Sequence, residues 1–577
     1  MAEREFAVWA PRPDLVRLDL AGAQYPMDRY SDGWWRITVE TAPDARYGFV
    51  LDDDPTVLPD PRSARQPDGV HGPSQLWDPA GARWTDTAWT GRRIEGAVIY
   101  ELHTGTFTAA GTFAAAIEKL DHLVDLGVDF VELMPVNAFS GPHGWGYDGV
   151  LWYAVHEPYG GPDGLVEFID ACHARGLGVL IDAVFNHFGP SGNYLPRFGP
   201  YLSSAGNPWG EGVNIADADS DEVRRYIIDC ALRWLRDFHA DGLRLDAVHA
   251  LVDTTAIHIL EELACETDRL AAESGRPLAL IAESDLNDPR LITPRAEGGY
   301  GLTAQWDDDI HHAIHTAVSG ERQGYYADFG SLATLARTLQ HGFYHAGTYS
   351  SFRRRRHGRP LDTGRVPGTR LLAYTCTHDQ VGNRALGDRP AQYLSSGQLA
   401  VKAALALGTP FTAMLFMGEE WGATTPFQFF SSHPEPELAQ ATVDGRKREF
   451  AEHGWDAAEI PDPQDPATFA RSKLDWSQAD TGEHARLLRF YRDLIALRRN
   501  ADLADRRLTQ LGIDYDDEAR WIALRRGRLV IVCNLGVDPV RLPLTGEVVL
   551  AWDAPSVAGH CTVLPGHSVA VMRAESV

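Results

Sequence analysis

Apolar and polar residues alternate along the middle of the chain in the pattern of an α/β protein. Short apolar runs rich in β-branched residues are followed, in most cases, by longer amphipathic stretches. Such strands, alternating with helices, predict a parallel sheet covered on both faces. Eight runs favour a closed (β/α)8 barrel over an open sheet. The runs are AVIYELH (97–103), VDFVELMPV (128–136), LGVLIDAVFNH (177–187), DGLRLDAVH (241–249), LALIAESD (278–285), GLTAQWDDD (301–309), LLAYTCTHD (371–379) and FTAMLFMGEE (411–420).

The two ends of the chain have a different pattern, with short alternating runs separated by turn residues. Residues 1–90 contain EFAVWA, VRLDLAG, WWRITVE and ARYGFVLD between Pro, Asp and Gly residues, which predicts a small β-sandwich. Residues 501–577 contain WIALRR, LVIVCNL, EVVLAW and SVAVMR, which predicts a second β-sandwich. We therefore expect three domains, with the barrel occupying residues 91–500.

The composition excludes disordered and fibrous proteins and disfavours polyanionic partners. Apolar residues make up 44% of the 577 positions and charged residues 23%, which is ordinary for a globular protein with a substantial core. The formal net charge is −27, from 80 acidic against 53 basic residues, so the mean field repels polyanions. We therefore expect neither a nucleic acid nor a membrane as a partner.

Three further features predict a cytoplasmic protein. The most apolar segment, from Leu399 to Gly418, is interrupted by Lys402 and by the Gly-Thr-Pro triplet at 408–410, which indicates a buried helix followed by a strand. The N-terminal sequence MAEREFAVWAPRPD lacks the basic and apolar regions of a signal peptide. The six cysteines are scattered without a CxxC pair, which is typical of reduced thiols.

Polar residues concentrate where the predicted strands end. In (β/α)8 barrels the active site is built at this edge of the strands. Charged side chains there are costly unless they are paired or functional, so several of them at one rim indicate a site. They are Asp182, Asn186, His187, Arg244, Asp246, Glu283, His378 and Asp379.

A cluster of carboxylates without cysteines or a convincing set of metal ligands suits glycoside hydrolysis. In the retaining form, one carboxylate attacks the anomeric carbon and a second acid, about 5–5.5 Å away, protonates the leaving oxygen. Asp246 and Glu283, on adjacent predicted strands, are the candidate pair. Arg244, on the same strand face as Asp246, would keep that carboxylate ionised, while crowding by other carboxylates would raise the pKa of Glu283. Asp379 and His378 are placed to bind sugar hydroxyls.

Four strings, DAVFNH, GLRLDAVH, IAESD and THDQVGN, resemble in chain order the four signature regions of glycoside hydrolase family 13, the α-amylase family. The resemblance covers the whole chain and implies that residues 1–90 are similar to a carbohydrate-binding module. It also implies Asp246 as nucleophile, Glu283 as acid/base and Asp379 as stabiliser of the transition state. The sugar bound on the non-reducing side of the cleaved bond would contact His187, Arg244, His378 and, by stacking, Tyr147.

Departures from the family pattern narrow the expected activity. Many α-amylases have Lys-His at the positions of His249 and Ala250, and the family usually has Asn at the position of Thr377. The strings AESDLNDP, QWDDDIHHAIH, FMGEEWGA and GRKREF resemble trehalose-releasing members in particular. This resemblance implies hydrolysis of maltooligosyltrehalose next to its terminal trehalose unit, with a maltooligosyltrehalose synthase acting one step earlier. Candidate contacts to the released trehalose are His249, Trp421, Glu419 and Glu420.

Other functions remain open from the sequence. A branching enzyme of the same family would pass the same covalent intermediate to a glucan hydroxyl instead of water. A catalytically silent glucan-binding scaffold is a third possibility, although it would not need all three catalytic carboxylates. We expect no metal and no cofactor, since the histidines at 311, 312 and 315 lack an HExxH pattern and Asn186 lacks further calcium ligands.

Three groups of residues have both a structural and a functional interpretation. The basic run Arg353 to Arg356 is read first as a solvated loop and second as a rim contact for substrate. Trp9, Trp34 and Trp35 are expected in the core of the N-terminal sandwich more than on a sugar-stacking platform. For the tryptophans at 145, 306 and 421, near the predicted strand ends, stacking on sugar and packing are equally favoured.

Overall fold

The computed structural model describes residues 2–207, 210–452, 459–558 and 560–574. Its N-terminal part contains two antiparallel sheets, ordered β1-β5-β4 and β3-β2-β6-β7. Trp9 and Trp35 are buried in their core, and Trp35 Nε1 donates to the carbonyl of Ala10 at 2.9 Å. The strands are β1 (Ala2–Trp9), β2 (Val16–Leu20), β3 (Ala23–Pro26), β4 (Asp28–Arg29), β5 (Trp34–Thr41), β6 (Arg46–Leu51) and β7 (Ser74–Gln75).

The middle of the chain forms a closed parallel barrel in the order β8-β9-β12-β15-β16-β17-β20-β21. All eight apolar runs of the sequence supply its strands, so the predicted (β/α)8 barrel is confirmed. The strands of this region are β8 (Val98–Leu102), β9 (Phe130–Leu133), β10 (Asn137–Phe139), β11 (Gly149–Val155), β12 (Gly178–Ala183), β13 (Leu202–Asn207), β14 (Gly210–Val213), β15 (Gly242–Leu245), β16 (Ala279–Ala282), β17 (Ala304–Trp306), β18 (Thr348–Ser350), β19 (Arg355–His357), β20 (Leu371–Tyr374) and β21 (Thr412–Phe416).

The barrel strands are buried on both faces, which explains their nearly continuous apolar sequence. Ile99, Phe130, Leu180, Ile281 and Met414 belong to one buried cluster that is separate from the main core. Because side chains alternate along a strand, this cluster fills the barrel while the neighbouring positions pack against helices.

The helices cover the outside of the barrel with amphipathic faces. In α6, Val223, Ile227 and Ala231 are buried at helical spacing, and α11 begins with a capping box formed by Ser395 and Gln398. The helices are α1 (Thr104–Phe107), α2 (Phe113–Ile117), α3 (Leu120–Leu126), α4 (Gly161–Ala174), α5 (Leu195–Phe198), α6 (Asp221–Arg236), α7 (Ile259–Ser274), α8 (Asp308–Ser319), α9 (Leu332–His341), α10 (His378–Gly382), α11 (Ser396–Leu407), α12 (Pro436–Glu452), α13 (Pro466–Arg471) and α14 (Gly482–Arg498).

Two sheets follow α14, one of five strands (β22-β23-β24-β29-β26) and one of three (β25-β28-β27). Val532 and Ala570 of the first share a buried cluster with Leu542 and Leu564 of the second, so the sheets pack face to face. The strands are β22 (Gly512–Asp516), β23 (Trp521–Arg526), β24 (Leu529–Asn534), β25 (Val540–Leu542), β26 (Gly546–Ala551), β27 (Ser556–Ala558), β28 (Cys561–Leu564) and β29 (Ser568–Ala574).

The apolar segment from Leu399 to Gly418 covers most of α11 and all of β21, as its sequence predicts. Among the helices of the described residues, none is both long enough and apolar enough to cross a membrane. The barrel and its two flanking β-regions agree with the predicted fold class, while the exact domain boundaries at residues 90 and 500 stay predictions.

Candidate active site

Arg244 lies at the centre of the charged groups where the barrel strands end. It is on β15, and its side chain is only 1% exposed. Its Nη1 donates to both carboxylate oxygens of Asp182 at 2.9 Å and to Asp246 Oδ1 at 2.6 Å. Its Nη2 is 3.6 Å from Glu283 Oε2. One buried guanidinium therefore joins three carboxyl groups from three adjacent strands.

Asp246 is held on two sides. Arg244 donates to Oδ1, and Asn186 Nδ2 donates to Oδ2 at 2.8 Å and to the backbone carbonyl of Asp246 at 2.9 Å. These donors fix the carboxylate at the end of β15, and its side chain is 11% exposed. A fixed, partly accessible carboxylate with charge-assisted hydrogen bonds is suited to attack a bound sugar carbon.

Glu283 has the properties of a proton donor at neutral pH. It follows β16, and its Oε2 accepts from the backbone N–H of Ala247 at 2.6 Å. That N–H is aimed by a left-handed turn at Ala247, with φ of 39°. Burial, opposed by the charge of Arg244 and aided by the charges of Asp246, Asp379 and Asp308, raises the pKa of Glu283 to about 8. The two candidate carboxyl groups therefore have different electrostatic environments, as an acid and a nucleophile require.

His378 is the second cation of the site. Its Nδ1 contacts Glu101 Oε1 at 2.5 Å and its Nε2 contacts the Tyr147 hydroxyl at 2.8 Å. That hydroxyl donates its single proton to Asp182 Oδ2 at 2.6 Å, so it accepts from His378. Both ring nitrogens of His378 are therefore donors, which requires the imidazolium form. Burial alone would lower the pKa of His378, but the charges of Asp379 and Glu101 outweigh it and raise the pKa to about 9.

Asp379 lies in the first turn of α10 and is the most accessible of the three candidate catalytic carboxylates, with 41% of its side chain exposed. Its Oδ1 is 3.4 Å from His378 Nε2 and accepts from Asn383 Nδ2 at 3.3 Å. Thr377, at the position where the family usually has Asn, caps this helix by accepting from the Asp379 N–H at 3.2 Å. Asp379 is thus positioned by a helix start, not by a barrel strand.

A pocket of about 710 Å³ opens beside these groups, within the size range of small-molecule sites. We call it the acid-side pocket, because its described lining includes Glu283 and Asp379 but not Asp246. The rest of the lining combines aromatic rings with paired charges: Asp285, Trp306, Asp308, His312, Glu321, Gln323, Gly324, Tyr325, Tyr326, Phe352, Arg353, Gln380, Asn383, Arg384, Ala385, Asp388 and Phe450.

Neither Tyr147 nor His187 is among the described residues that line the acid-side pocket. The Tyr147 ring stacks on His378 with centroids 5.2 Å apart. His187 Nδ1 contacts the Asn186 side-chain oxygen, and burial lowers its pKa, so this imidazole is neutral at physiological pH. Together with Arg244 and His378, these residues are brought next to Asp246, where the sequence places a sugar-binding subsite.

The structure does not bring Trp421 and Glu419, two candidate contacts to trehalose, into the acid-side pocket. Trp421 is fully buried, and its ring packs against His122 and Trp476. Glu419 accepts from the Thr375 hydroxyl at 2.6 Å and from the Tyr491 hydroxyl at 2.9 Å. The chain turns through a left-handed Gly418 after β21, which directs both side chains into the packing behind the barrel edge. Their predicted contact with trehalose is therefore wrong.

The other two candidate contacts to trehalose are His249, which is exposed, and Glu420, which is buried. His249 is exposed in the 3-10 turn Val248–Ala250, three residues after Asp246, so its predicted contact with substrate stays a prediction. Glu420 is buried, accepts from the Tyr100 hydroxyl at 3.1 Å and contacts His122 Nε2 at 2.8 Å. It therefore faces the helix layer and not the acid-side pocket.

Sequence patterns pointed less clearly to the acids inside the barrel. Glu101 and Glu132 are paired in register on β8 and β9, and each is 1% exposed. Glu101 anchors His378, while burial and the charges of Glu101 and Asp182 raise the pKa of Glu132 well above its usual value. The signal was present as a single Glu within each of two otherwise apolar runs, VIYEL and FVEL.

No group of three or more His, Cys, Asp or Glu residues in the described part of the chain could hold a metal ion. The helical histidines take part in other contacts. His315 Nε2 contacts Glu321 Oε2 at 2.9 Å, and its Nδ1 is 3.2 Å from Lys402 Nζ. A neighbouring ammonium group is unfavourable for a cation at this position.

Comparison with known proteins agrees with this geometry. The family described as alpha amylase, catalytic domain, matches residues 79–199, and a domain of unknown function (DUF3459) matches residues 506–571. Malto-oligosyltrehalose trehalohydrolase of Mycobacterium tuberculosis is 74% identical over 574 residues, which cover 99% of each chain. A crystal structure of a candidate alpha amylase from Salmonella typhimurium is 40% identical, with a TM-score of 0.90 over 99% of this chain and 98% of that one.

The chain therefore belongs to the α-amylase family of glycoside hydrolases and, within it, to the group of the malto-oligosyltrehalose trehalohydrolases. A 1,4-alpha-glucan branching enzyme of Xanthomonas campestris is a more distant relative. It is 28% identical over 357 residues, which cover 54% of this chain and 48% of that enzyme.

Replacing Arg244 by Met should leave the carboxyl groups of Asp182, Asp246 and Glu283 without their shared cation. We expect the free energy of unfolding to fall by about 3–5 kcal/mol, as for other broken buried ion pairs. We expect kcat to fall about 100-fold or more, because Asp246 and Glu283, the candidate nucleophile and acid, both lose their positioning. Denaturant titration and initial rates measure the two effects. Arg236→Ala, which removes a side chain that is 59% exposed, should cost only about 0–1 kcal/mol; equal losses in both variants would contradict the central role of Arg244.

The raised pKa of Glu283 predicts the alkaline side of the pH profile. An acid with a pKa of about 8 is protonated at neutral pH and loses its proton above it. For substrates with a sugar leaving group, kcat/KM should therefore be sustained up to about pH 8 and fall tenfold per pH unit beyond it. An α-maltosyl fluoride, whose leaving group needs no proton, should lack this decline. A fall that begins near pH 5, close to the ordinary pKa of a glutamic acid, would be incompatible with this role.

Proposed function

We propose that this chain hydrolyses the α-1,4 bond next to the terminal trehalose unit of maltooligosyltrehalose and releases trehalose with retention at the anomeric carbon. The observation that carries this proposal is the 74% identity with a malto-oligosyltrehalose trehalohydrolase over essentially the full length of both chains. The arrangement of Asp246, Glu283 and Asp379 around Arg244 and His378 supports the chemistry.

In the first step, Glu283 donates its proton to the glycosidic oxygen while Asp246 Oδ attacks the anomeric carbon. The bond to the leaving trehalose breaks, and a β-glycosyl ester with Asp246 forms. Arg244 and Asn186 hold the attacking carboxylate in place. Because its pKa is raised, Glu283 is protonated at neutral pH and supplies the proton without an external acid.

In the second step, the ionised Glu283 takes a proton from water, and the resulting hydroxide attacks the same carbon and breaks the ester. Two inversions give net retention, and Glu283 is again protonated. The Tyr147 ring offers an apolar face to the bound sugar, and the adjacent His378 imidazolium donates hydrogen bonds. Asp379, the most accessible of the three carboxylates, is suited to bind sugar hydroxyls as the positive charge develops on the ring.

A branching transglycosylase is the second candidate function. It would use the same covalent intermediate but transfer the glycosyl group to a glucan hydroxyl. The branching enzyme that resembles this chain matches only about half of it, which favours hydrolysis. A silent glucan-binding scaffold is disfavoured, because three aligned carboxylates with an acid of raised pKa serve no purpose in binding alone.

The proposal also includes an enzyme that acts one step earlier, a cellular location and a division into domains. A maltooligosyltrehalose synthase would supply the substrate, and the two enzymes would act in succession. The six cysteines are free, which supports a cytoplasmic location. We retain the domain division into residues 1–90, 91–500 and 501–577 as part of the proposal.

Product analysis on maltopentaosyltrehalose, maltoheptaose and amylose tests the function. We expect rapid release of free trehalose from the first substrate and much slower change in the other two. Chromatography of the products and methylation analysis of the glucan distinguish hydrolysis from branching. New α-1,6 branches in amylose, with no trehalose released, would establish the branching function instead.

Asp246→Asn tests the assigned nucleophile. The substitution preserves shape but removes the attacking charge, so turnover should fall by about 10⁴-fold or more while the melting temperature changes little. Asp268→Asn, on α7 with a side chain that is 65% exposed, is a matched control and should retain full activity. Unchanged turnover in the Asp246 variant would contradict the mechanism under either enzymatic function.

A further inference from the structure

Glu101 lies inside the barrel near the end of β8, and both oxygens of its carboxylate contact one residue. The side chain is 1% exposed. Oε1 contacts the ring nitrogen Nδ1 of His378 at 2.5 Å, and Oε2 accepts from the backbone N–H of the same residue at 3.1 Å. Among the described residues, His378 is the only cation within 4 Å of this carboxylate. The pair therefore joins β8 to the first turn of α10, which also carries Asp379.

This pair determines the direction of the hydrogen bonds that lead from His378 to Arg244. A carboxylate only accepts, so Nδ1 of His378 must donate to Glu101. Asp182, which accepts from Arg244 at 2.9 Å, also accepts the single hydroxyl proton of Tyr147 at 2.6 Å. The hydroxyl can therefore only accept from His378 Nε2, 2.8 Å away. If His378 were neutral with its proton on Nδ1, Nε2 would need the proton that Tyr147 gives to Asp182.

The other groups near His378 do not replace Glu101 as its buried counter-charge. The titratable groups that face the ring are His103 before α1, Glu101 on β8, Glu132 on β9, Tyr147 between β10 and β11, Asp182 on β12, Arg244 on β15 and Asp379 on α10. Burial lowers the pKa of His103 and raises that of Glu132, so both are uncharged at neutral pH. The charges of Asp379 and Glu101 both favour a protonated His378, and Arg244 opposes it. Asp379, however, is 41% exposed, so water screens its charge.

We infer that Glu101 is a positioning residue of the reaction, which holds His378 as a donor at both ring nitrogens so that Tyr147 donates to Asp182. The inference rests on the proposed function and deepens it, because it adds a residue that does not touch the substrate. Glu101 neither gains nor loses a proton in the two chemical steps. It acts through His378, which donates to the sugar side, and through Tyr147 and Asp182, which complete the contacts of Arg244.

Glu101→Gln is the variant that tests this, and Glu132→Gln is its matched control. The two glutamates are paired in register on adjacent strands, and each is 1% exposed. Both substitutions exchange a carboxyl group for an amide of the same shape, but only Glu101 contacts His378. The substrate is α-maltosyl fluoride, whose leaving group needs no proton. Its kcat/KM therefore reports Asp246 and the sugar contacts without the acid function of Glu283.

The expected result is a loss of activity that depends on pH. In the wild-type enzyme, kcat/KM for the fluoride should stay level up to about pH 9. In Glu101→Gln it should begin to fall about two pH units lower, toward the ordinary histidine pKa of about 6.5, because burial then outweighs the remaining acid. Near pH 8 we expect a loss of about tenfold or more, as for a lost charge-assisted hydrogen bond, which shrinks to less than about threefold near pH 6. Glu132→Gln should stay within about twofold of wild type throughout, because an amide there replaces an uncharged carboxyl group.

The possible results distinguish this inference from the proposed function. Wild-type enzyme that does not consume the fluoride contradicts the proposed glycosidase chemistry and the inference with it. An active wild type, with a loss in Glu101→Gln that is the same at every pH, refutes the inference alone, since the residue is then only structural. An equal change of profile in Glu132→Gln also refutes it, because any alteration inside the barrel would then have the same effect.

A measurement on the wild-type enzyme covers the case in which Glu101→Gln does not fold. The ring 15N chemical shifts of His378, assigned by comparison with His378→Gln, distinguish an imidazolium from either neutral tautomer. Near pH 8 we expect the imidazolium, with a strongly deshielded Nδ1 proton from its bond to Glu101. A neutral ring at that pH would overturn the inference.

Discussion

The rest of the site depends on the ion pairs that the buried guanidinium of Arg244 forms with neighbouring carboxyl groups. Carboxyl groups gather where the barrel strands end, and each would be costly to bury alone. Arg244 binds Asp182 and Asp246 directly and lies within 3.6 Å of Glu283, so one cation compensates three acids. A planar group with several fixed donors can do this, whereas a lysine would serve as a point charge only.

The unequal distances from this cation distinguish the proposed roles of the two candidate catalytic carboxyl groups. Asp246 is 2.6 Å from the guanidinium and also accepts from Asn186, while Glu283 is farther away and its strongest contact is a neutral backbone N–H. Burial therefore dominates at Glu283 and raises its pKa to about 8. The proposed assignment of Asp246 as nucleophile and Glu283 as acid rests on electrostatics that the geometry of two adjacent strands creates.

A second chain of contacts extends from the barrel interior toward the substrate. Glu101 holds the His378 imidazolium, which donates to Tyr147, and Tyr147 donates to Asp182. This chain returns to Arg244 through Asp182, so the two cations and their acids form one connected network. Such a network restricts the motion of the Tyr147 and His378 rings, which are proposed to contact the sugar. The acid-side pocket has a separate wall, formed by the turn of the β18–β19 hairpin after α9.

The sequence by itself determined the barrel and the candidate catalytic carboxylates, whereas the tertiary structure decided which side chains meet around them. Eight apolar runs predict eight parallel strands, and parallel strands bring their carboxyl ends to one edge, so Asp246 and Glu283 could be placed from local pattern alone. The pairing of Glu101 with His378 could not, because it joins residues 277 positions apart after the barrel has closed. The path of the chain after Gly418 likewise buries Trp421, although its sequence position resembles that of a substrate contact. Periodicity fixes where a strand ends, but loop paths and barrel closure determine what its last residues touch.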